Sequence, residues 1–226
     1  ECAAIVFSSE DAKKDLLQFY GQGAAKLEVL PFVSEVAAAA DPASDQAVLQ
    51  QYALPEKYFL VANQFWAHKN HQVIVEALAL LKQSGKAVRV VASGNPADYR
   101  QSGHYEKLME HVREAGLQQM FQLVGVIPFE HLSVMMRHAV AMINPSLFEG
   151  WNTSVEEAKS LGKQVLLSDI AVHHEQNPQR GFYFAPHDAG RLAELMWSLQ
   201  GGFDPQAEMA AMQQAAQQFP ARQREY

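Results

Sequence analysis

Cysteine is almost missing from this chain: Cys2 is the only one in 226 residues. No disulfide can close within the chain and no cysteine zinc cluster can be built, which excludes a disulfide scaffold and fits a reducing compartment. Positive charge is also scarce. Lys and Arg number 18 against 25 Asp and Glu, a formal net charge of −7, and such a field repels polyanions rather than gathering them. Nucleic acid is therefore not expected as a partner, although a few aimed donors can still hold a small phosphate compound at short range. No run approaches the roughly 20 apolar residues of a membrane helix, so no transmembrane segment is expected. The N-terminus also lacks the basic-then-apolar order of a signal peptide. Two catalytic motifs are absent: there is no Gly-x-Ser-x-Gly elbow for a serine nucleophile and no Gly-x-Gly-x-x-Gly after a strand for a dinucleotide.

What is present is ordinary globular material, 48% hydrophobic and 19% charged, in a chain long enough to bury a core. It opens on the apolar run Cys2-Ala3-Ala4-Ile5-Val6-Phe7 directly after Glu1. A strand in that place is expected to have something before it, so residues 1–226 read as a fragment. Ser8-Ser9-Glu10 is an N-cap signal for a helix whose stripe is Ala12, Leu16, Leu17, Phe19 and Tyr20, and 27–32 predicts a second strand. Residues 34–57, rich in Ala, Asp, Ser and Gln, read as a linker holding at most a short helix over 46–52.

From Tyr58 the pattern is regular. Strands are predicted over 58–62, 88–92, 121–124, 139–143, 164–168 and 182–184, and helices over 70–84, 103–115, 129–138, 153–161 and 188–199. A final helix is predicted over 205–219, with Ala207, Met209, Met212 and Ala215 on one stripe. Alternation over short loops implies an α/β fold with a parallel sheet wrapped on both faces, whose ligands sit at the carboxyl ends of the strands.

The loop after strand 139–143 carries the most chemistry. Asn144-Pro145-Ser146-Leu147-Phe148-Glu149-Gly150-Trp151-Asn152-Thr153-Ser154-Val155-Glu156-Glu157 leads into a helix, so free N–H groups from Asn152 to Val155 and the positive end of the helix dipole face the ligand edge. That is a seat for a diphosphate. Glu149 and Glu157 bracket it, and a carboxylate accepts hydrogen bonds from a vicinal diol such as a ribose or a hexose. A plainer reading stands beside this one: Thr153-x-x-Glu156 and Ser154-x-x-Glu157 both fit a capping box that merely ties off a helix start. Upstream, Asn63-Gln64-Phe65-Trp66-Ala67-His68-Lys69-Asn70-His71 puts an ammonium just before another helix. The histidines at 68, 71, 173 and 174 lack zinc-enzyme spacing and are expected in structural or polar roles, so no metal site is expected.

Together these segments resemble the retaining glycosyltransferases of family 4, which have the two-domain GT-B fold. The signature is a Glu, seven residues and a second Glu, matched by Glu149 and Glu157. The resemblance implies that Glu149 contacts the transferred sugar, that the backbone at Asn152, Thr153 and Ser154 holds the diphosphate, and that Glu157 binds the ribose. Lys69 matches the family's phosphate-neutralising Lys, while Gln64 stands where an Arg is usual, leaving His68 as a neighbour that could contribute. Ser93-Gly94-Asn95 resembles the glycine loop beside the nucleotide, and Val124-Gly125-Val126-Ile127-Pro128 the loop that contacts the base. Leu161 to Asp169, then Glu175 and Gly181 to Pro186, match the closing portion in order and spacing.

The resemblance implies a GT-B type Rossmann-like sheet over 58–201, preceded by the remnant of an acceptor-binding α/β domain over 1–33 and the linker over 34–57, and followed over 202–226 by a helix returning toward the N-terminal domain. It implies sugar transfer from a nucleoside diphosphate sugar to a hydroxyl with retention of configuration, in polysaccharide or glycoconjugate assembly. Neither metal nor cofactor is implied, and the acceptor, a sugar or lipid-linked sugar, would be held through the missing N-terminal half. A cytoplasmic location is expected, with a peripheral position at the inner face of the membrane as its variant. Because Gln64 replaces the Arg, a non-catalytic nucleotide- or carbohydrate-binding module stays open, as does an epimerase or phosphorylase on the same scaffold.

Overall fold

The computed structural model describes residues 2–36, 41–98 and 103–224. The chain begins with β1 (Ala4–Phe7), α1 (Glu10–Tyr20) and β2 (Lys26–Val29), a parallel strand pair joined by one helix. The Ser9 side chain caps α1 by accepting the Ala12 N–H. The segment expected as a linker is more ordered than its composition implied. It carries the ten-residue helix α2 (Pro42–Gln51), started by Asp41 and a favourable Pro at the first turn.

A six-stranded, wholly parallel sheet follows, built from β3 (Phe59–Ala62), β4 (Val90–Ser93), β5 (Phe121–Gly125), β6 (Ala141–Asn144), β7 (Val165–Ser168) and β8 (Gly181–Phe184). Five of its strands are almost entirely apolar because helices cover both faces, as parallel strands require. Alternate residues of β3 divide between two cores: Phe59 and Val61 pack with α3 (His71–Gln83) and α8 (Ala189–Gly201), while Leu60 packs with residues of α5 (Phe129–His138) and α6 (Thr153–Ser160). α4 (His104–Glu114) completes the first layer.

Helix α2 docks on α5 through a buried ion pair, with Arg137 Nη2 2.5 Å from Asp45 Oδ1 and His138 Nε2 2.9 Å from Asp45 Oδ2. Burial alone would raise the Asp45 carboxyl, but the hydrogen bonds from Arg137 and His138 prevail and hold it below its ordinary value. The last helix, α9 (Pro205–Arg224), runs past the predicted end and through Pro220. It passes so close to the turn after α6 that a Cβ on Gly162, at φ +61°, would lie 2.6 Å from the Ala211 carbonyl oxygen. The six-residue helix α7 (Ala171–Gln176) was not anticipated, being too short to show a period.

The strand order is β5-β4-β3-β6-β7-β8. Connections run outward in one direction from β3 and in the other from β6, so the loops leaving these two neighbours diverge and open a crevice at their carboxyl ends. Those loops carry Lys69 and Glu149.

Candidate functional site

A cleft of about 410 Å³ lies at this switch point, within the range of small-molecule sites. All nine residues singled out from the sequence line it: Gln64, Lys69, Gly94, Val126, Glu149, Asn152, Thr153, Ser154 and Glu157. They come from the ends of β3, β4, β5 and β6 and the start of α6, so tertiary topology brings Gln64, Lys69, Gly94 and Val126 to the local group between Glu149 and Glu157.

The β3 and β6 loops are sewn together by Asn70. It adopts the left-handed conformation at φ 54°, and its Nδ2 donates to the carbonyls of Pro145 (3.0 Å) and Pro186 (2.7 Å). The Leu147 N–H donates to the His68 carbonyl at 2.8 Å. This brackets Lys69, whose ammonium lies 2.5 Å from Glu149 Oε1. The same oxygen accepts from Ser146 Oγ at 2.6 Å and from Asn152 Nδ2 at 2.9 Å. Three donors thereby fix the Glu149 carboxylate in place. Lys69 is correspondingly not the mobile ammonium that its place before a helix implied.

The start of α6 corrects the capping-box reading. The N-cap is Asn152, whose Oδ1 accepts the N–H groups of Ser154 at 3.1 Å and Val155 at 3.4 Å. The Ser154 and Val155 amides are therefore engaged, and among the described residues those of Asn152 and Thr153 have no protein acceptor. Glu156 caps nothing: it is fully buried and bound to Lys159, Gln176 and Arg222.

Glu157 is 8% exposed, lines the cleft, and receives no protein hydrogen bond among the described residues. Burial pushes its carboxyl up to about 7. A buried, unpartnered carboxyl facing a cavity awaits hydroxyl donors.

Gln64 lines the cleft too, but its Oε1 accepts the Asn95 N–H at 3.0 Å and so pins the loop after β4. Gly94 makes that approach feasible: at φ +158°, a Cβ there would sit 2.1 Å from the Asn63 carbonyl oxygen. His68 does not substitute for the absent Arg, because it stacks on Phe148 with centroids 4.6 Å apart and is not among the lining residues. Of the other histidines, His71 and His173 are buried and kept neutral by burial, and His174 pairs with Asp169 at 2.6 Å. Val126, Ile127, Phe129 and Leu132 make an apolar wall suited to a planar base. Sequence reasoning missed Asn70 and Ser146, whose importance comes from partners that only folding reveals; an Asn before a helix was the one available signal.

The segments that follow β1 and β2 touch the loop that carries Glu149. Ser8 Oγ donates to the Gly150 carbonyl at 3.1 Å, and Trp151 Nε1 to the Phe32 carbonyl at 2.9 Å. No helix among the described residues is long and apolar enough to cross a membrane.

Residues 47–216 match the family model described as glycosyl transferases group 1, and the chain belongs to that family. It is 27% identical over 133 residues to the O-antigen chain mannosyltransferase RfbU of Salmonella typhimurium, a match covering 59% of this chain and 35% of that protein. A glycosyltransferase from Rickettsia africae shares the fold at a TM-score of 0.77 and 20% identity, over 95% of this chain and 57% of the other. HepE from Anabaena, solved with UDP and glucose, aligns at 0.74 and 15% identity, over 97% of this chain and 62% of that one. The fold is thus that of GT-B glycosyltransferases, and the chain spans less than two thirds of each of these proteins.

Proposed function

We propose that this group 1 glycosyltransferase chain holds a nucleoside diphosphate sugar in the cleft and transfers its sugar to a hydroxyl acceptor with retention of configuration. The observation that carries this reading is the pair of carboxylates flanking the start of α6: Glu149, held by Lys69, Ser146 and Asn152, and Glu157, buried and without a protein donor among the described residues. A diphosphate on the N–H groups of Asn152 and Thr153 lies at the positive end of α6, with the sugar toward Glu149 and the ribose toward Glu157. The bond from the anomeric carbon to the phosphate oxygen breaks and one to the acceptor oxygen forms on the same face. The departing phosphate takes the acceptor's proton, so no general base is assigned. Lys69 stabilises the charge that develops on the diphosphate. This scheme uses neither metal nor cofactor.

The acceptor, a sugar or lipid-linked sugar, would meet the cleft through the acceptor-binding domain of which residues 1–33 are a part. Similarity to an O-antigen mannosyltransferase supports a role in polysaccharide or glycoconjugate assembly at the cytoplasmic membrane face, and makes a mannosyl donor the first to try.

Titration calorimetry with UDP, GDP, ADP and dTDP in excess EDTA tests the site. Saturable binding lost in both Lys69→Ala and Glu157→Ala supports it; no binding by folded protein refutes it. The anomeric configuration of the product, read by NMR, tests retention. A second reading has one observation behind it: Gln64 is committed to Asn95, so the second cation usual in the family is missing. Nucleotide binding without transfer or donor epimerisation in the full-length protein would favour a binding module.

A further inference from the structure

A buried polar chain runs behind the cleft. Gln176, the last residue of α7, is 2% exposed. Its Nε2 donates to the Asn152 carbonyl at 2.8 Å and to Glu156 Oε1 at 3.0 Å. Asn152 is the N-cap of α6, and its side chain in turn donates to Glu149 at 2.9 Å. Glu156 is a fixed point, since its buried carboxylate is also held by Lys159 at 2.9 Å and by Arg222 of α9 at 3.4 Å. The Gln176 amide therefore hangs from an anchored anion and grips the N-cap residue. The residue beside it, Glu175, faces the other way, its two oxygens accepting the N–H groups of Glu10 and Asp11 at 2.7 and 2.8 Å. The end of α7 thus joins α1 to the start of α6.

We infer that Gln176 is a positioning residue for sugar transfer, holding Asn152 and, through it, the Glu149 carboxylate in the orientation that the transferred sugar meets. The inference rests on the role proposed for Glu149. A neutral amide suits the place because both neighbours are acceptors, and a carboxylate there would face the Glu156 anion at hydrogen-bond distance. Misplacing a reacting group by even about 1 Å can cost up to roughly a hundredfold in rate.

The test uses full-length protein as wild type, Gln176→Met, Gln176→Asn, Asn152→Ala and the Asn152→Ala/Gln176→Met double variant. Met keeps the volume without the donor, and Asn keeps the amide but is one methylene too short. Lys159 and Arg222 still neutralise Glu156 in each, so the fold survives, as thermal unfolding will show. Both Gln176 variants should lower kcat about tenfold, with a smaller change in the Kd for the preferred nucleoside diphosphate than in kcat, because Glu157 and Lys69 are untouched and only the Asn152 end of the diphosphate seat is loosened. The double variant should be no slower than Asn152→Ala alone, since both changes act on one contact. Multiplying losses in the double variant, or wild-type kcat in Gln176→Met, would overturn the inference. Amide exchange at Ser154 and Val155, whose N–H groups Asn152 caps, reads the same contact without turnover. It should quicken in Gln176→Met, and unchanged exchange would overturn the inference. A wild type that transfers no sugar would instead remove the reading of Glu149, leaving exchange to decide whether Gln176 positions Asn152.

Discussion

Replacing Glu157 by Gln should make the unliganded protein more stable at alkaline pH while spoiling its nucleotide site. The Glu157 carboxyl is raised from 4.5 to about 7 by burial. Between those values the folded protein binds more protons than the unfolded chain, so stability falls as pH rises through the window and is undiminished below it. At about 1.36 kcal/mol for each pH unit, the ionised form costs roughly 3 kcal/mol once the pH is well above 7. Water entering the cleft makes this an upper figure. The amide that Glu157→Gln introduces carries no charge at any pH, so the variant should match wild type near pH 4 and exceed it by up to about 3 kcal/mol near pH 8. In a chain of this size that is a rise of roughly 6 to 12 °C in Tm. Denaturant unfolding at several pH values supplies the measurement, and calorimetry with the nucleoside diphosphate should show weakened binding in the same variant. A stability difference independent of pH, or a variant less stable than wild type at alkaline pH, would refute the assignment of burial without a partner. Such an exchange of stability for binding is what an unsatisfied buried group in a functional cleft implies.

Three other outcomes follow from specific contacts. Gly94→Ala should cost at least about 2 kcal/mol in denaturant unfolding, because its Cβ would meet the Asn63 carbonyl oxygen at 2.1 Å, and it should weaken nucleotide binding by moving the loop after β4. Glu156→Ala should cost about 3 kcal/mol or more by removing the buried anion that Lys159, Gln176 and Arg222 share, far above the loss of about 1 kcal/mol that removal of a capping residue brings; a loss as small as that in urea unfolding would restore the capping-box reading. Asp45→Asn should cost about 3 kcal/mol at neutral pH by weakening the hold of Arg137 and His138. Because the Asp45 carboxyl is held below its ordinary value, its contribution is present above the usual carboxylate range and lost as pH falls through the lowered value. Wild type and variant should therefore converge in acid, which an unfolding series against pH will check.

Much of this was local and so legible in the sequence. Runs such as Phe59-Leu60-Val61 and Val165-Leu166-Leu167 announce strands buried on both faces, since only helices on both sides of a parallel sheet let so many apolar residues stand together. Alternation with helical periods settled the α/β class, and the spacing of Glu149 and Glu157 that the family resemblance supplied picked out the cleft residues, because one lies in the loop just before, and the other just beyond the first turn of, a helix start that the local pattern marks. The tertiary structure decided the partners. Lys69 and Glu149 are 80 positions apart in the chain, and their pairing depends on β3 lying beside β6, an order no local period encodes. Thr153 and Ser154 matched a capping box as well as Asn152 matched a cap; the choice was made by Gln176 and Glu149, which hold Asn152 from either side. Glu156 and Glu157 are adjacent acids in the sequence, yet one is an anchor for α9 and the other a free carboxyl in the cleft, because successive helix positions point about 100° apart and only packing determines what each direction meets.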